Sequence, residues 1–363
     1  MEVLSPHFID VALRVAVALS FLSLATLLII VAVRLAAERR ISHTTHFRRT
    51  AAPFVTSYMA GRTPMQEVVA VLQADPCEAL TLLMEVSDQL EPATRAKLRP
   101  LFAELPLVRN ETAKLSQRRW EARMNAAERL GYLADPHSTG PLLSALKDKV
   151  LAVRFSAARA LAAIGEPDSI ELILLAFDVP GEMNQRRVAE VLYAFGPPAA
   201  DPLLAVVENT GNKFSDTVVG VAARVLGMLR VQKAVPYLKP LLQTPEFRVR
   251  LAAARALGQI GDRSVLAELG ELAGDPSWEV RNTVVQALGK LQAVQQIPLL
   301  ADALGDQNWW VRFSAGQALY SLGNDGINVL RTAMLSSSDR YAGDMSRQIL
   351  EEHRISETRE KHP

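Results

Sequence analysis

Leucine recurs along most of this chain at an almost constant interval. The successive steps are 31, 31, 34, 31, 31 and 31 residues, for Leu130, Leu161, Leu192, Leu226, Leu257, Leu288 and Leu319. Self-similarity at a period of about 20 to 50 residues is typical of stacked repeats, in which each unit buries its apolar face only against its neighbours. The chain is therefore predicted to form one extended array rather than several globular domains.

Each period is long enough to hold two helices. In residues 247–261 and 278–291, apolar side chains fall at i, i+4, i+8 and i+11, which places them on one face of a helix. The first helix of each hairpin is shorter, as in residues 234–242 and 297–304. We therefore predict an all-α fold, an α-solenoid of about seven helical hairpins with helical caps.

Glycine directly follows the periodic leucine in four repeats, at Gly131, Gly227, Gly258 and Gly289. Inside a helix a glycine costs about 1 kcal/mol relative to alanine. Its recurrence at one register predicts that a neighbouring helix approaches too closely for a side chain.

Residues 15–33 contain no charged side chain and favour an N-terminal transmembrane helix. These 19 residues span about 28 Å at about 1.5 Å per residue, close to the hydrocarbon core of about 30 Å. Arg34, Arg39 and Arg40 follow the run, so the positive-inside rule places the N-terminus outside and the remainder in the cytoplasm. A cleaved signal peptide fits less well, because the stretch before the run carries Glu2 and Asp10, with Arg14 at its edge, and the cluster of basic residues follows the run. We predict a single-pass protein of the inner (plasma) membrane.

The predicted domain boundaries follow from these features. They are a short extracytoplasmic N-terminus (1–10), the transmembrane helix (11–35), a basic juxtamembrane linker (36–63), an irregular helical N-terminal cap (64–116), the repeat solenoid (117–354) and a disordered tail (355–363). Three additional residues enter the period near residues 209–212. They indicate either a bend in the solenoid or a surface insertion.

The repeats also resemble a known family. Asp275-Pro276-Ser277-Trp278-Glu279-Val280-Arg281, followed by Ala287-Leu288-Gly289, resembles the HEAT-repeat family, in particular the short HEAT-like repeats of phycobilisome bilin lyases, and the resemblance covers residues 117–354. It implies a ladder of aspartate and arginine pairs between successive repeats. The ladder residues would be Asp148, Arg154, Arg250, Asp275, Arg281, Asp306 and Arg312, whereas Gln185 and Val219 replace the arginine in the third and fourth units.

The resemblance also implies which surface is available to a partner. In HEAT arrays the second helices line the concave face, and a column of side chains five residues after the ladder arginine would lie on it. Together with the out-of-register Trp310, this column gives the predicted partner-binding residues Arg159, Glu190, Arg224, Arg255, Gln286 and Gln317, with Glu128 at its start. Its mixed charge favours a protein partner over a nucleic acid. The aromatic residues Trp120, Phe247, Trp278 and Trp309 share one register and are interpreted as hairpin core.

The sequence offers no set of residues for chemistry. The motifs G-x-x-x-x-G-K, H-E-x-x-H, C-x-x-C and G-x-S-x-G are absent, and the single cysteine, Cys77, is interpreted as a small buried hydrophobe. A balance of 40 Lys and Arg against 39 Asp and Glu provides no global field for binding a polyanion. We therefore predict no catalytic, cofactor-binding or metal site, no nucleic-acid partner, no small-molecule substrate and no enzymatic activity.

The function that these features favour is a membrane-anchored scaffold or adaptor. It would bind the lipid bilayer through residues 15–33 and a protein of a membrane-associated complex through the repeats. Two alternatives stay open. One is a regulatory or assembly subunit of a membrane enzyme, such as an envelope polysaccharide synthase or a transporter. The other, which the resemblance permits, is an enzyme similar to the bilin lyases or to the HEAT-type DNA glycosylases.

Overall fold

The computed structural model describes residues 6–91, 94, 96–178, 182–209, 213–335 and 339–361. The chain divides into two compact units, one ending at Asn110 and the other starting at Glu111. Helices α1 (Pro6–Met59), α2 (Met65–Leu72), α3 (Pro76–Asp88) and α4 (Arg99–Glu104) belong to the first unit, and α5 (Leu107–Lys114) runs across the boundary.

Helix α1 has two halves of different character. From Leu19 to Val33 its apolar side chains are exposed. By length and composition the helix from Leu19 to Met59 could cross a membrane, since it contains an 18-residue window with a mean hydropathy of 2.3. Further along, Phe47, Ala51 and Val55 recur every four residues, and these three side chains are buried where the helix packs on α2 and α3. Neither proline nor glycine interrupts residues 36–52, and the helix continues through Pro53 to Met59. The segment predicted as a linker is therefore largely helical.

The second unit alternates short first helices with longer second helices. In chain order its helices are α6 (Trp120–Leu133), α7 (Thr139–Ala145), α8 (Leu151–Ile164), α9 (Ile170–Ala176), α10 (Glu182–Tyr193), α11 (Ala200–Glu208), α12 (Asp216–Met228), α13 (Val235–Leu238), α14 (Phe247–Ile260), α15 (Leu266–Glu271), α16 (Trp278–Lys290), α17 (Ile297–Asp302), α18 (Trp309–Ser321), α19 (Asn324–Leu335) and α20 (Arg340–Lys361). The even-numbered helices from α6 to α18 are the second helices. Each of them packs against the next one.

The periodic leucines form the core of this layer. All seven, from Leu130 to Leu319, lie on second helices and are fully buried. Each therefore marks the point at which one hairpin packs on the next, which is how a repeat without its own globular core is stabilised. The predicted all-α fold class and solenoid architecture are confirmed.

The predicted close approach of second helices at the glycines is also confirmed. A Cβ atom at Gly227 would lie 2.5 Å from Cα of Ala256, and one at Gly258 would lie 2.6 Å from Cβ of Ala287. Ala160 and Ala318 crowd Gly131 and Gly289 in the same way. Carbon atoms normally approach no closer than about 3.5 Å, so a glycine on one helix and an alanine on the next are matched along the stack.

Helix α20 covers the end of the array. Met345, Ser346 and Ile349 are buried, and α20 packs on α18 and α19. The helix continues to Lys361, so the described part of the tail predicted as disordered is helical. This stretch contains neither proline nor glycine and is rich in glutamate, arginine and lysine, which favour helix. The insertion predicted near residues 209–212 lies mostly outside the described residues.

Candidate functional site

Ion pairs between an arginine and an aspartate connect successive hairpins of the second unit. Nε and Nη2 of Arg250 donate hydrogen bonds to the two carboxylate oxygens of Asp275 at 2.7 and 3.0 Å. Arg281 binds Asp306 in the same bidentate way at 2.7 and 2.8 Å. In both pairs the aspartate follows the arginine by 25 residues and lies in the turn before the next second helix. Each pair therefore ties one second helix to the following hairpin.

The aspartate also organises the turn that contains it. Oδ1 of Asp275 accepts a hydrogen bond from the backbone N–H of Ser277 at 2.8 Å. Its backbone carbonyl accepts one from Nη1 of Arg281, also at 2.8 Å. The six-residue spacing that is visible in the sequence thus corresponds to a side chain-to-backbone contact within one hairpin, whereas the ion pair joins residues 25 apart.

Arg123 forms a further ion pair that the sequence interpretation missed. It binds Asp148 at 2.6 and 3.0 Å, and Nη1 donates to the carbonyl oxygen of Gln117 at 2.9 Å. Arg123 precedes Arg154 by one period of 31 residues, and this spacing is the signal that could have identified it. It was overlooked because Gln117, rather than an aspartate, stands six residues before it.

The ladder carboxylates stay ionised at pH values below the usual pKa of an aspartate. Burial raises the pKa of Asp275, but hydrogen bonds from Arg250 and from the Ser277 amide outweigh it, so this pKa lies below its ordinary value. The pKa of Asp306 is lowered by the same balance, with Arg281 as the arginine. The hydrogen bond from Arg123 lowers the pKa of Asp148, and burial opposes it.

We expect the stability of the second unit to decrease in acid. The pKa of each ladder aspartate is lower in the folded than in the unfolded chain. Each aspartate therefore stabilises the fold fully at pH values above its unfolded-state pKa of about 3.9, and this contribution is lost as the pH falls through its folded-state pKa. Thermal melts should therefore give a constant midpoint above about pH 5 and a falling one below about pH 4. Asp275→Asn should reduce the slope of this decrease, and an equal slope in the two proteins would contradict the assignment.

The predicted partner-binding column lies along the second helices. Arg159, Glu190, Arg255 and Gln286 are exposed, and Arg224 and Gln317 are half-buried. Trp310 precedes Gln317 by seven residues on α18, so it lies on the same face of that helix. We call this set of seven residues the second-helix face.

Several members of the second-helix face contact neighbouring repeats. Glu128 accepts a hydrogen bond from Nη2 of Arg159 at 2.7 Å. Towards the C-terminal end, Nε2 of Gln286 donates to Oγ of Ser314 at 3.1 Å, and Oε1 of Gln317 lies 3.0 Å from the ring nitrogen Nε2 of His353. These contacts order the column at both ends of the array.

A cavity of about 210 Å³ opens on the second-helix face between α12 and α14. Its lining contains the basic residues Arg224 and Arg248 and the acidic residues Asp216 and Glu246. Gly220 is part of the lining, and a Cβ atom there would meet only Cβ of Ala252, at 4.0 Å. Charges of both signs in one recess suit a polar protein segment better than a polyanion.

The tryptophans at the start of the second helices are more exposed than predicted. Trp120, Trp278 and Trp309 are all exposed rather than core residues, so the core interpretation is wrong for them. Each is the first residue of its helix, where the neighbouring hairpin covers only part of the ring. Trp310 is 55% exposed and meets the ring of Trp309 edge-on at 4.8 Å.

Two predictions concern residues of the first unit. Arg34 forms an exposed ion pair with Glu38 at 3.1 Å, Arg39 is exposed, and the side chain of Arg40 lies outside the described residues. Cys77 is exposed rather than buried, so that interpretation is wrong. It occupies the first turn of α3, where its backbone N–H donates to the capping carboxylate of Asp75 at 3.1 Å.

Comparison with known proteins identifies the repeats. The sequence profile of the HEAT repeats matches residues 112–193, 200–277 and 266–350. No curated protein matches the chain. A Kap121p structure is similar at a TM-score of 0.60 and 14% identity, over 85% of this chain and 39% of that one, and so is Kap121p bound to Nup53p, at 0.57 and 14% over the same shares. The CpcE–CpcF complex of phycocyanin lyase from Nostoc sp. PCC7120 is 21% identical over 62% of this chain and 92% of that chain, with a TM-score of 0.33.

Proposed function

Because the chain belongs to the HEAT-repeat family, we propose that it is a membrane-anchored scaffold without enzymatic activity, which binds a protein partner on its second-helix face. The observation that carries this proposal is that exposed and buried side chains alternate along each second helix. In α14, for example, Arg248 and Arg255 are exposed seven residues apart while the alanines between them are buried. Most of the residues aligned in this way from repeat to repeat are charged or polar, which suits a surface that contacts another molecule.

Solenoids of the same fold support a protein as the partner. Kap121p, whose aligned part is about two-fifths of its length, has been crystallised with Nup53p and with Pho4p. At this low sequence identity, the similarity supports the same fold but does not identify the partner. On the present chain, the cavity between α12 and α14 and the exposed ring of Trp310 provide a polar recess and an aromatic anchor, and both are typical of protein interfaces.

The first unit supports attachment to a membrane. The exposed apolar half of α1 would be an unusually large apolar surface for a protein in water, and a lipid bilayer would cover it. From Val33 to Phe47, the helix rises about 21 Å at about 1.5 Å per residue. The folded part would therefore stay close to the membrane, and tethering would raise the effective concentration of a partner in the same membrane. We propose such a partner, with the repeats on the cytoplasmic side.

Affinity purification of the tagged full chain from its own membranes tests the proposal. We expect co-purified proteins whose recovery decreases at least about ten-fold in Arg224→Glu/Arg255→Glu, since a reversed charge at an interface costs several kcal/mol. Trp310→Ala should reduce the recovery of the same proteins. The matched control is Arg340→Glu/Arg347→Glu, which reverses two exposed arginines of α20 that contact Asp344.

The control should leave recovery unchanged. Equal recovery with the wild-type chain and with both second-helix variants would overturn the proposed binding face. The membrane part has its own readout in the same cells, because the exposed Cys77 is the single cysteine of the chain. A membrane-impermeant maleimide should label it only after lysis, and labelling of intact cells would contradict a cytoplasmic location.

A further inference from the structure

The ladder contains two arginines whose aspartate is missing. The positions 25 residues after Arg154 and Arg312 are Val179 and Ser337, which lie outside the described residues and carry no carboxylate. Nε of each arginine is buried and has no hydrogen-bond partner in the part of the chain that the structure describes. In the paired arginines, Nε is one of the two atoms that bind the carboxylate. In these two side chains, therefore, the Nε–H group that binds a carboxylate in the paired arginines is not used.

Arg154 is held in the pose of the paired arginines. Its Nη1 donates to the backbone carbonyl of Asp148 at 2.8 Å, as Nη1 of Arg281 does to Asp275. The guanidinium lies over the ring of Phe177 at 5.7 Å from the ring centre. An aromatic ring under the face of a guanidinium partly compensates its charge, but it provides no acceptor for the N–H groups at the edge.

The nearby carboxylates on the same hairpin are engaged elsewhere. Asp178 directly precedes the position at which the ladder aspartate would stand, and its carboxylate accepts a hydrogen bond from the hydroxyl of Ser215. Glu171 forms an ion pair with Lys213 at 2.8 Å. A shift of register by one residue therefore does not supply the missing partner of Arg154.

An apolar cavity of about 520 Å³ adjoins Arg154. Its lining is formed mainly by leucines of the first helices α7 and α9, with one further cation: Leu143, Leu146, Leu172, Leu175 and Lys147. Leu172 and Leu175 are 44% and 43% exposed. The volume falls in the range of about 300–1,000 Å³ that is typical of ligand pockets, and none of the described residues that line it carries a carboxylate.

We propose that this cavity, the ladder-gap pocket, binds a protein segment that presents an aspartate or glutamate between aliphatic side chains. The carboxylate would accept a hydrogen bond from the unpartnered Nε of Arg154, Lys147 would add a second positive charge, and the leucines would cover the aliphatic neighbours. The occupied rungs favour a peptide over a small acid. In them the aspartate also accepts a hydrogen bond from the amide two residues later in its own chain, and only a peptide reproduces this arrangement.

The ladder-gap pocket goes beyond the proposed function, because its lining consists of Arg154 near the start of α8 and residues on or next to the first helices, and it includes none of the seven residues of the second-helix face. The two sites can be tested independently. Binding at the pocket predicts a contact with an acidic segment that survives loss of the second-helix face. We therefore expect Arg224→Glu/Arg255→Glu to leave the pocket unchanged.

A labelled peptide titrated into the full chain in mild detergent tests the pocket by fluorescence anisotropy. The probe is acetyl-Leu-Leu-Asp-Pro-Ser-Leu-amide, which contains the Asp-Pro-Ser turn of the chain's own rung at residues 275–277. Its isostere with asparagine in place of aspartate is the paired probe. A charge-assisted contact predicts that the aspartate peptide binds about 10- to 100-fold more tightly. Added salt should reduce this difference.

Arg154→Gln should remove the difference between the two peptides. The matched control is Arg312→Gln, because Arg312 has the same backbone contact, to Asp306 at 2.8 Å, and the same buried Nε, but does not line the pocket. It should retain the preference for the aspartate peptide. Equal binding of the two peptides by the wild-type chain, or an equal loss in both arginine variants, would overturn the proposal.

A second variant covers the case in which Arg154→Gln fails to fold. Leu172→Gln/Leu175→Gln changes two partly exposed side chains, so helical content should be preserved. This variant should weaken binding of both peptides about five-fold or more, because two aliphatic contacts are replaced by polar side chains. Unchanged affinity for both peptides, with native helical content, would show that the leucines are not part of a site and would also overturn the proposal.

Discussion

Asp275→Ala is expected to destabilise the second unit by about 3–5 kcal/mol, because removing one partner of a buried ion pair leaves the other charge without compensation. The side chains of Asp275 and Arg250 are only 3% and 13% exposed. The substitution also removes the acceptor for the Ser277 amide. Urea denaturation of the full chain, followed by far-ultraviolet circular dichroism, should show a lower midpoint for the transition that includes α14 and α16.

Glu128→Ala is the matched control for this substitution. The Glu128–Arg159 pair also joins successive repeats, at 2.7 Å, but the two side chains are 42% and 60% exposed. An exposed ion pair contributes about 0–1 kcal/mol, so its loss should change the midpoint little. Equal shifts for the two variants would contradict the view that burial, rather than the presence of an ion pair, makes the ladder a determinant of stability.

The ladder also shows what the sequence could and could not reveal. The residue types and their recurrence were visible, because each repeat carries them at the same register. Which arginine binds which aspartate was not visible, since the contact at six residues and the ion pair at 25 residues both repeat with the period. Only the packing of one hairpin on the next decides between them. Likewise, the sequence of one repeat does not show that Nε of Arg154 lacks a partner, because this depends on the missing aspartate of the next hairpin.

The helical core was predictable because its signal is local and strong. A leucine that is fully buried in every repeat must recur at the repeat length, whatever the partner of the protein is. The boundaries of α1 were less predictable. The charged residues after Val33 end the apolar run but not the helix, because they are compatible with a helical backbone and no helix-breaking residue follows before Pro53.

The exposure of side chains at the ends of helices was the least predictable feature. Trp278 and Trp309 share a register with Trp120 and Phe247, and this recurrence of aromatic residues suggested core. Their position as first residues of α16 and α18 leaves part of each ring uncovered. Cys77 illustrates the same effect in the first turn of α3. Periodicity predicts well which face of a helix packs against its neighbours. It does not predict how far the neighbouring element extends along that face.

Gly227→Ala is expected to destabilise the chain although alanine ordinarily stabilises the interior of a helix by about 1 kcal/mol relative to glycine. The new Cβ would lie 2.5 Å from Cα and 2.8 Å from Cβ of Ala256. Relief requires α12 and α14 to move apart along their contact, because the obstacle is backbone. Overpacking of this kind costs about 1–3 kcal/mol, and the urea midpoint should fall accordingly.

Gly220→Ala, seven residues earlier on the same helix, should have the opposite effect. Its Cβ would find only Cβ of Ala252, at 4.0 Å, so the gain in helix propensity, about 0.5–1 kcal/mol, should appear as a higher midpoint. The two substitutions add the same methyl group to one helix, and they differ only in how closely α14 approaches. If both raised the midpoint, the separation of these second helices would be adjustable, and the matched glycine and alanine would not set the spacing of the stack.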